Sequence, residues 1–258
     1  MELIENNDPD VKRVCVGIPL KGHTPPDSYH DRVLMSYFMG AKEMKDHYEK
    51  VKPRYEFIWL GVGEIFVPFA REMLAAKALE YKCDYLFMVD DDMMAPVDLF
   101  YKLVKHDVDI VAPLAFTRNP PHKPVMFKTI EGYDQVVGKP YSINTTVLNY
   151  PKDRLVECDA VGFGSALIKM EVFKKMSQPW FMGSVGTGED IHFCIAAKKL
   201  GFRVFMDTAT KLGHLSKPVI VTEEYSEHFN KLNQEEKDRF YGKYEKYAPT
   251  DTIKPEVN

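Results

Sequence analysis

The chain has 258 residues, a length that fits one large domain or one domain with a tail. Hydrophobic residues make up 45% and charged residues 28%, which supplies a sizeable core and excludes global disorder. A formal net charge of −4 is unlike that of a duplex-DNA binder, and no nucleic-acid partner is expected. Cys15, Cys83, Cys158 and Cys194 form no C-x-x-C pair, so a zinc ribbon or thioredoxin motif is excluded and buried, reduced thiols of a cytosolic protein are expected. The start, MELIENNDPD, has no apolar stretch of the secretory kind, and no apolar run reaches the ~20 residues a spanning helix needs. A cytoplasmic protein without a transmembrane segment is the expectation.

Residues 14–19 (VCVGIP) read as a buried strand closed by Pro19. Residues 30–50 follow a helical period, with Val33, Leu34, Tyr37, Phe38, Ala41 and Met44 on one face. A second strand is expected over 55–60 (YEFIWL), closed by Gly61 and Gly63, and a second helix over 68–82 with Pro68 in its first turn. Residues 85–89 (YLFMV) form a third strand that runs into three aspartates. A third helix follows from Pro96, and 108–112 (VDIVA) is a fourth strand. This β-α-β-α-β-α-β order predicts an α/β fold with a parallel sheet covered on both faces. Ligands of such sheets bind beyond the carboxyl ends of the strands. Residues 117–158 carry Pro, Gly, Asn and Thr with short β-like runs, and read as hairpins and loops. A helix over 189–200, a strand over 202–205 and a charged, tyrosine-rich helix over 222–247 complete the chain.

The strongest chemical signal is VDDDMMAP, residues 89–96. Three adjacent carboxylates repel one another unless a cation or hydrogen-bond donors balance them. A hard divalent ion bridging to a phosphate is one solution, and a solvated acidic turn is the other. The second signal is GSVGTGEDIHFC, residues 183–194. Its glycines give a loop, and Glu189 and Asp190 open a helix whose dipole favours carboxylates. They read either as helix caps or as a general base behind a closing loop. Lys and Ser/Thr are missing where a phosphate loop needs them. The third signal is His214 after Gly213 in KLGHL, and the fourth is Arg71 in FAREML, a surface residue or a pyrophosphate contact. Trp180 and Phe181 read as a platform for a sugar face or as core.

Taken in order, the strand-ending D-x-D, the P-W-F and Gly-rich loop, G-E-D-x-x-F-C and a late G-H resemble the GT-A glycosyltransferases of the inverting, family-2-like kind. The resemblance is best over 66–96 and 155–216. It implies a GT-A type fold: a Rossmann-like, mostly parallel central sheet flanked by helices, with a smaller mixed acceptor-side region. It implies one catalytic domain over 1–221, with a nucleotide-binding half at about 11–116 and an acceptor-side half at about 117–221. Residues 222–258 are then a charged helical tail, through which a homo-oligomer is expected. The resemblance also implies Mn2+ or Mg2+ on Asp90, Asp92 and His214, with Asp92 the direct ligand. It places Pro19, Lys21, Arg71, Asp90 and Asp91 against the nucleotide, Asp190 as base with Glu189 beside it, and Trp180, Phe181 and Gly188 towards the acceptor sugar. The donor is a UDP- or GDP-sugar and the acceptor is unknown. Gly61-Val62-Gly63 and then Glu64 stand where many relatives carry an acidic uracil-reading residue, and the Q/R-x-x-R-W motif of processive synthases is missing. Two rival readings are a sugar-phosphate nucleotidyltransferase and a non-catalytic carbohydrate-binding protein on the same fold.

Overall fold

A computed structural model describes residues 8, 10–20, 53–63, 65–136, 138–183, 187–216 and 219–232. The helix expected over 30–50, Lys21 and Glu64 lie outside the described residues. The first half contains β1 (Val11–Pro19), β2 (Arg54–Val62), α1 (Val67–Glu80), β3 (Tyr85–Val89), β4 (Met93–Met94), α2 (Leu99–Val104) and β5 (Ile110–Leu114). A hairpin of β6 (Met126–Asp134) and β7 (Lys139–Thr146) follows, then β8 (Leu155–Cys158), β9 (Ala160–Val161) and β10 (Ser165–Lys169). The chain continues through α3 (Met170–Lys175), α4 (Glu189–Lys199), β11 (Val204–Lys211), β12 (Gly213–Ser216), β13 (Val219–Val221) and α5 (Glu223–Lys231).

Among the described residues, seven strands form the central sheet in the order β2-β1-β3-β10-β5-β11-β8. β1 pairs in parallel with β2 and β3, and β11 in parallel with β5. The expected α/β architecture is present, with two differences from the parallel order read in the sequence. β10 inserts antiparallel between β3 and β5, and β8 adds an antiparallel edge. The insertion has a consequence for the site. Because β10 runs backwards, its first residue, Ser165, lies opposite Val89, the last residue of β3. The turn at Phe163 and Gly164 is thereby delivered to the carboxyl end of the sheet, where the Asp90 amide donates to the Gly164 carbonyl at 2.8 Å.

Both faces of the sheet are packed. On one face Leu86, Met88 and Ile110 meet Ala75 and Ala78 of α1, Phe173 of α3 and Phe193 of α4. On the other, Val14, Val16 and Phe87 meet Phe100 and Leu103 of α2. Each such large apolar side chain contributes about 1.5–3 kcal/mol on burial. α1 ends at Glu80, two residues short of the expected 82. Lys82 takes a left-handed φ of 51°, and the Cys83 amide turns back to the Ala78 carbonyl at 2.9 Å, which feeds the chain into β3. The third helix begins at Leu99 rather than Pro96, because Met93 and Met94 are taken up as β4 against β12. All four cysteines are buried and free. No helix among the described residues is long and apolar enough to cross a membrane.

The helix expected over 222–247 stops at Lys231, and residues from 233 onward lie outside the described ones. α5 is docked on its own chain rather than left as a tail. Phe229 is buried, and with Tyr225 it packs edge-on against the His122 ring. The Ser226 hydroxyl donates to the His122 carbonyl at 2.6 Å. The apolar face of α5 is therefore engaged within the chain.

Candidate functional site

The site is built at the carboxyl end of β3, and it begins with the fate of Asp90, Asp91 and Asp92. α1 buries Ala70, Arg71, Leu74, Ala75 and Ala78 against the sheet. The small alanines let the helix approach closely. Gly17 on β1 does the same, since a Cβ there would lie 3.2 Å from the Leu74 Cδ1. Arg71 is consequently buried, and every guanidinium nitrogen has a partner. Nη2 donates to both Asp90 oxygens at 3.0 and 3.1 Å, and Nε donates to Glu189 Oε1 at 3.2 Å. Nη1 donates to the Phe163 carbonyl at 3.1 Å. Arg71 is thus an internal clamp joining β3, the turn before β10 and α4. Where the resemblance implied a pyrophosphate contact, the guanidinium here has partners within the protein on both edges. Both oxygens of Asp90, one of the carboxylates the resemblance assigned to the metal, accept from Arg71. Burial pushes the Asp90 carboxyl up to about 6, against the pull of the guanidinium. Asp91 is buried.

Glu189 and Asp190 open α4 and divide in the same way. Glu189 faces Arg71. Asp190 Oδ1 accepts from the Ile191 amide at 2.7 Å, and Oδ2 accepts from the Phe163 amide at 3.3 Å. Phe163 therefore serves both groups, through its carbonyl to Arg71 and its amide to Asp190, a role no sequence signal announces. A Cβ at Gly188 would lie 2.7 Å from Asp190 Oδ1. Glycine at that position therefore makes room for the carboxylate, and no sugar contact is needed to explain it. Burial raises the Asp190 pKa, and the Glu189 charge adds to the shift. A held carboxylate of raised basicity is chemically suited to accept a proton.

Trp180 and Phe181 are core residues, the second of the two readings the sequence offered. Both are about 97% buried, as their 3% exposures show. Phe181 stacks on Phe193 with centroids 4.9 Å apart, and Trp180 meets Phe173 edge-on at 5.4 Å. Their amides donate to the Glu72 carboxylate, and the indole Nε1 donates to the Met176 carbonyl at 3.1 Å.

Asp92 lies on the other side of the clamp. The antiparallel pairing of β4 with β12 sets Met93 opposite His214, and the Leu215 amide donates to the Asp92 carbonyl at 2.8 Å. His214 Nε2 then faces Asp92 Oδ1 at 3.6 Å, too long for a hydrogen bond. His214 Nδ1 lies 2.8 Å from the Phe116 carbonyl. That contact places a proton on Nδ1, since a carbonyl can only accept, and Nε2 is the ring atom turned to the carboxylate. The second Asp92 oxygen pairs with Nη2 of Arg118, a residue that sequence reasoning missed. Its only advance signal is that TRNPP follows the β5 strand at the ligand-binding end of the sheet.

Among the described residues no group of three His, Cys, Asp or Glu side chains is placed to hold a metal ion. Asp92 and His214 supply two donors of suitable chemistry, and a phosphate-bearing ligand would have to supply more. An imidazole donor favours Mn2+ over Mg2+, which takes oxygen ligands. Pro19 is buried at the end of β1, where Leu20 donates to the Val62 carbonyl at 2.8 Å. A cavity of about 990 Å³ opens behind the 116–124 loop, lined by Phe116, Lys123, Tyr150, Lys152, Glu227 and Asn230 among others.

No family model and no curated protein sequence matches the chain. Solved structures do. A197 from STIV superposes with a TM-score of 0.53 at 18% identity, over 83% of this chain and 91% of that one. GalNAc-T7 with UDP, GalNAc and Mn2+ gives 0.44 at 16% identity, over 80% of this chain and 44% of that one. UDP-glucose pyrophosphorylase complexed with UDP-glucose gives 0.44 at 8% identity, over 90% and 99%. The likeness to A197 is one of fold, and at this level the chain is a mixed α/β protein with the Arg71 clamp and the Asp92–His214 pair beyond the carboxyl end of β3.

Proposed function

We propose that this protein is a glycosyltransferase that moves a sugar from a nucleoside-diphosphate sugar to an acceptor hydroxyl with inversion at the anomeric carbon. The observation that carries the reading is the meeting of Asp92 and His214. They come from distant parts of the chain, and they set an imidazole nitrogen 3.6 Å from a carboxylate oxygen at the end of the sheet. The pair suits Mn2+, which when bound would neutralise the departing diphosphate as a Lewis acid.

The chain's own residues supply the rest. Asp190 takes the proton of the acceptor hydroxyl, and its burial keeps it more basic than a solvated carboxylate. The amides of Ile191 and Phe163 fix its orientation. Arg71 holds α4 against β3 through Glu189 and Asp90, so that the base keeps its place relative to Asp92. A UDP- or GDP-sugar fits this chemistry equally, and the acceptor is not identified by it.

Incubation with UDP- and GDP-sugars and Mn2+ tests the reaction class. The proposed transferase releases nucleoside diphosphate, slowly to water and faster when an acceptor is present. Release of pyrophosphate from a sugar phosphate and a nucleoside triphosphate would instead make it a nucleotidyltransferase. Release of neither would leave a binding protein.

A further inference from the structure

We propose that Arg118 is a built-in counter-cation. It holds Asp92 while the site is bare and passes to the donor diphosphate when that arrives, so that metal and diphosphate bind cooperatively. The inference rests on the reading of Asp92 and His214 as the metal-holding pair.

Three observations carry it. First, Arg118 Nη2 pairs with Asp92 Oδ2, while the other oxygen of that carboxylate is turned to His214 Nε2. Second, Arg118 Nε is buried and has no hydrogen-bond partner among the described residues. Nε and Nη2 share one edge of the guanidinium, the edge that grips two oxygens of a single carboxylate or phosphate. Asp92 fills half of that edge, and a phosphate would fill both halves. Third, the loop that presents Arg118 is anchored on both sides of it. The Phe116 carbonyl lies 2.8 Å from His214 Nδ1, and the Thr117 amide donates to the Lys123 carbonyl at 2.8 Å. His122 Nδ1 lies 3.0 Å from the Thr117 carbonyl, and α5 holds the His122 carbonyl through Ser226. The guanidinium is thus placed on Asp92 by a braced arm.

A divalent ion and a guanidinium on one carboxylate repel each other. On the bare protein they compete for Asp92. A diphosphate changes the balance, because its negative charges attract both and its oxygens satisfy the idle Nε.

The test is Mn2+ titration followed by electron paramagnetic resonance, with UDP and GDP binding measured by calorimetry with and without Mn2+. Arg118→Gln should bind Mn2+ alone about tenfold more tightly than the parent. It should bind UDP or GDP in the presence of Mn2+ about tenfold more weakly, the scale of one lost charge-assisted pair. Arg118→Lys keeps the charge and loses the fork, so it should lose diphosphate affinity without gaining Mn2+ affinity. Asp92→Ala controls for the underlying site. If the parent binds no Mn2+ with or without nucleotide, or if Asp92→Ala leaves Mn2+ binding unchanged, the metal-site reading falls and this proposal with it. If Asp92→Ala abolishes Mn2+ binding while Arg118→Gln leaves both affinities unchanged, or weakens both, the site stands and the role of Arg118 is overturned.

Discussion

Three consecutive carboxylates end the β3 strand, and two arginines from different parts of the chain divide the outer pair. Arg71 takes Asp90 and Arg118 takes Asp92. The sequence displays the acidic run and the electrostatic problem it poses. It does not display which cation answers it, because neither arginine stands near the aspartates in the chain. Arg71 also shows what sequence leaves open: a helix arginine looks solvated or ligand-facing until the helix face is known. Removing one partner from a buried, paired cluster costs roughly 3–5 kcal/mol. Arg71→Met should therefore lower stability to urea by about that amount. Unchanged stability with a loss of nucleotide affinity alone would return Arg71 to the donor. Asp190 carries a different expectation. Asp190→Asn removes the basic group at nearly constant size, so turnover should fall by ~10²–10⁴-fold while donor binding persists. Near-normal turnover, or a product of retained configuration by NMR, would reduce Asp190 to an α4 cap.

At the scale of elements, β1, β2, β3 and β5 were legible because each is a short apolar run between turn residues. β10 lies in the run DAVGFGSALI, and nothing in that run tells where the strand inserts. Insertion between β3 and β5 is a property of the sheet, set by which edges remain to be paired. Trp180 and Phe181 failed to resolve for a similar reason, since an aromatic pair after a proline looks the same in a core as beneath a sugar. α5 was read as charged, and its docking turns on one buried acid. Glu223 accepts from the Tyr150 hydroxyl at 2.8 Å and pairs with Lys152 and Lys211. Burial raises its pKa, but the hydrogen bonds from these three partners outweigh that and hold it below the ordinary 4.5. A depressed folded-state pKa adds stability above the unfolded value, and that stability is lost as pH falls through the folded one. Glu223→Gln should therefore be less stable than the parent by about 1–3 kcal/mol at pH 7. The gap should shrink as pH drops below 4.5. A gap of equal size at pH 3 and pH 7 would mean that packing, not charge, holds the helix.

Over the whole molecule, the antiparallel β10 and the small β4–β12–β13 sheet do one job between them. β10 brings Phe163 to the Arg71 clamp, and β12 brings His214 to Asp92. The sequence order of D-x-D, G-E-D and G-H is the trace of this arrangement, which is why the ordered set is more informative than any one motif. The proposed chemistry requires that Asp92 and His214 together hold a divalent ion that binds the donor nucleotide. The direct measurement is the affinity for UDP and GDP with and without Mn2+, in the parent and in Asp92→Ala and His214→Ala. Mn2+ should tighten nucleotide binding at least tenfold in the parent, and either substitution should remove most of that gain while the variant stays folded by circular dichroism. Equal nucleotide affinity with and without Mn2+ in the parent would contradict this requirement.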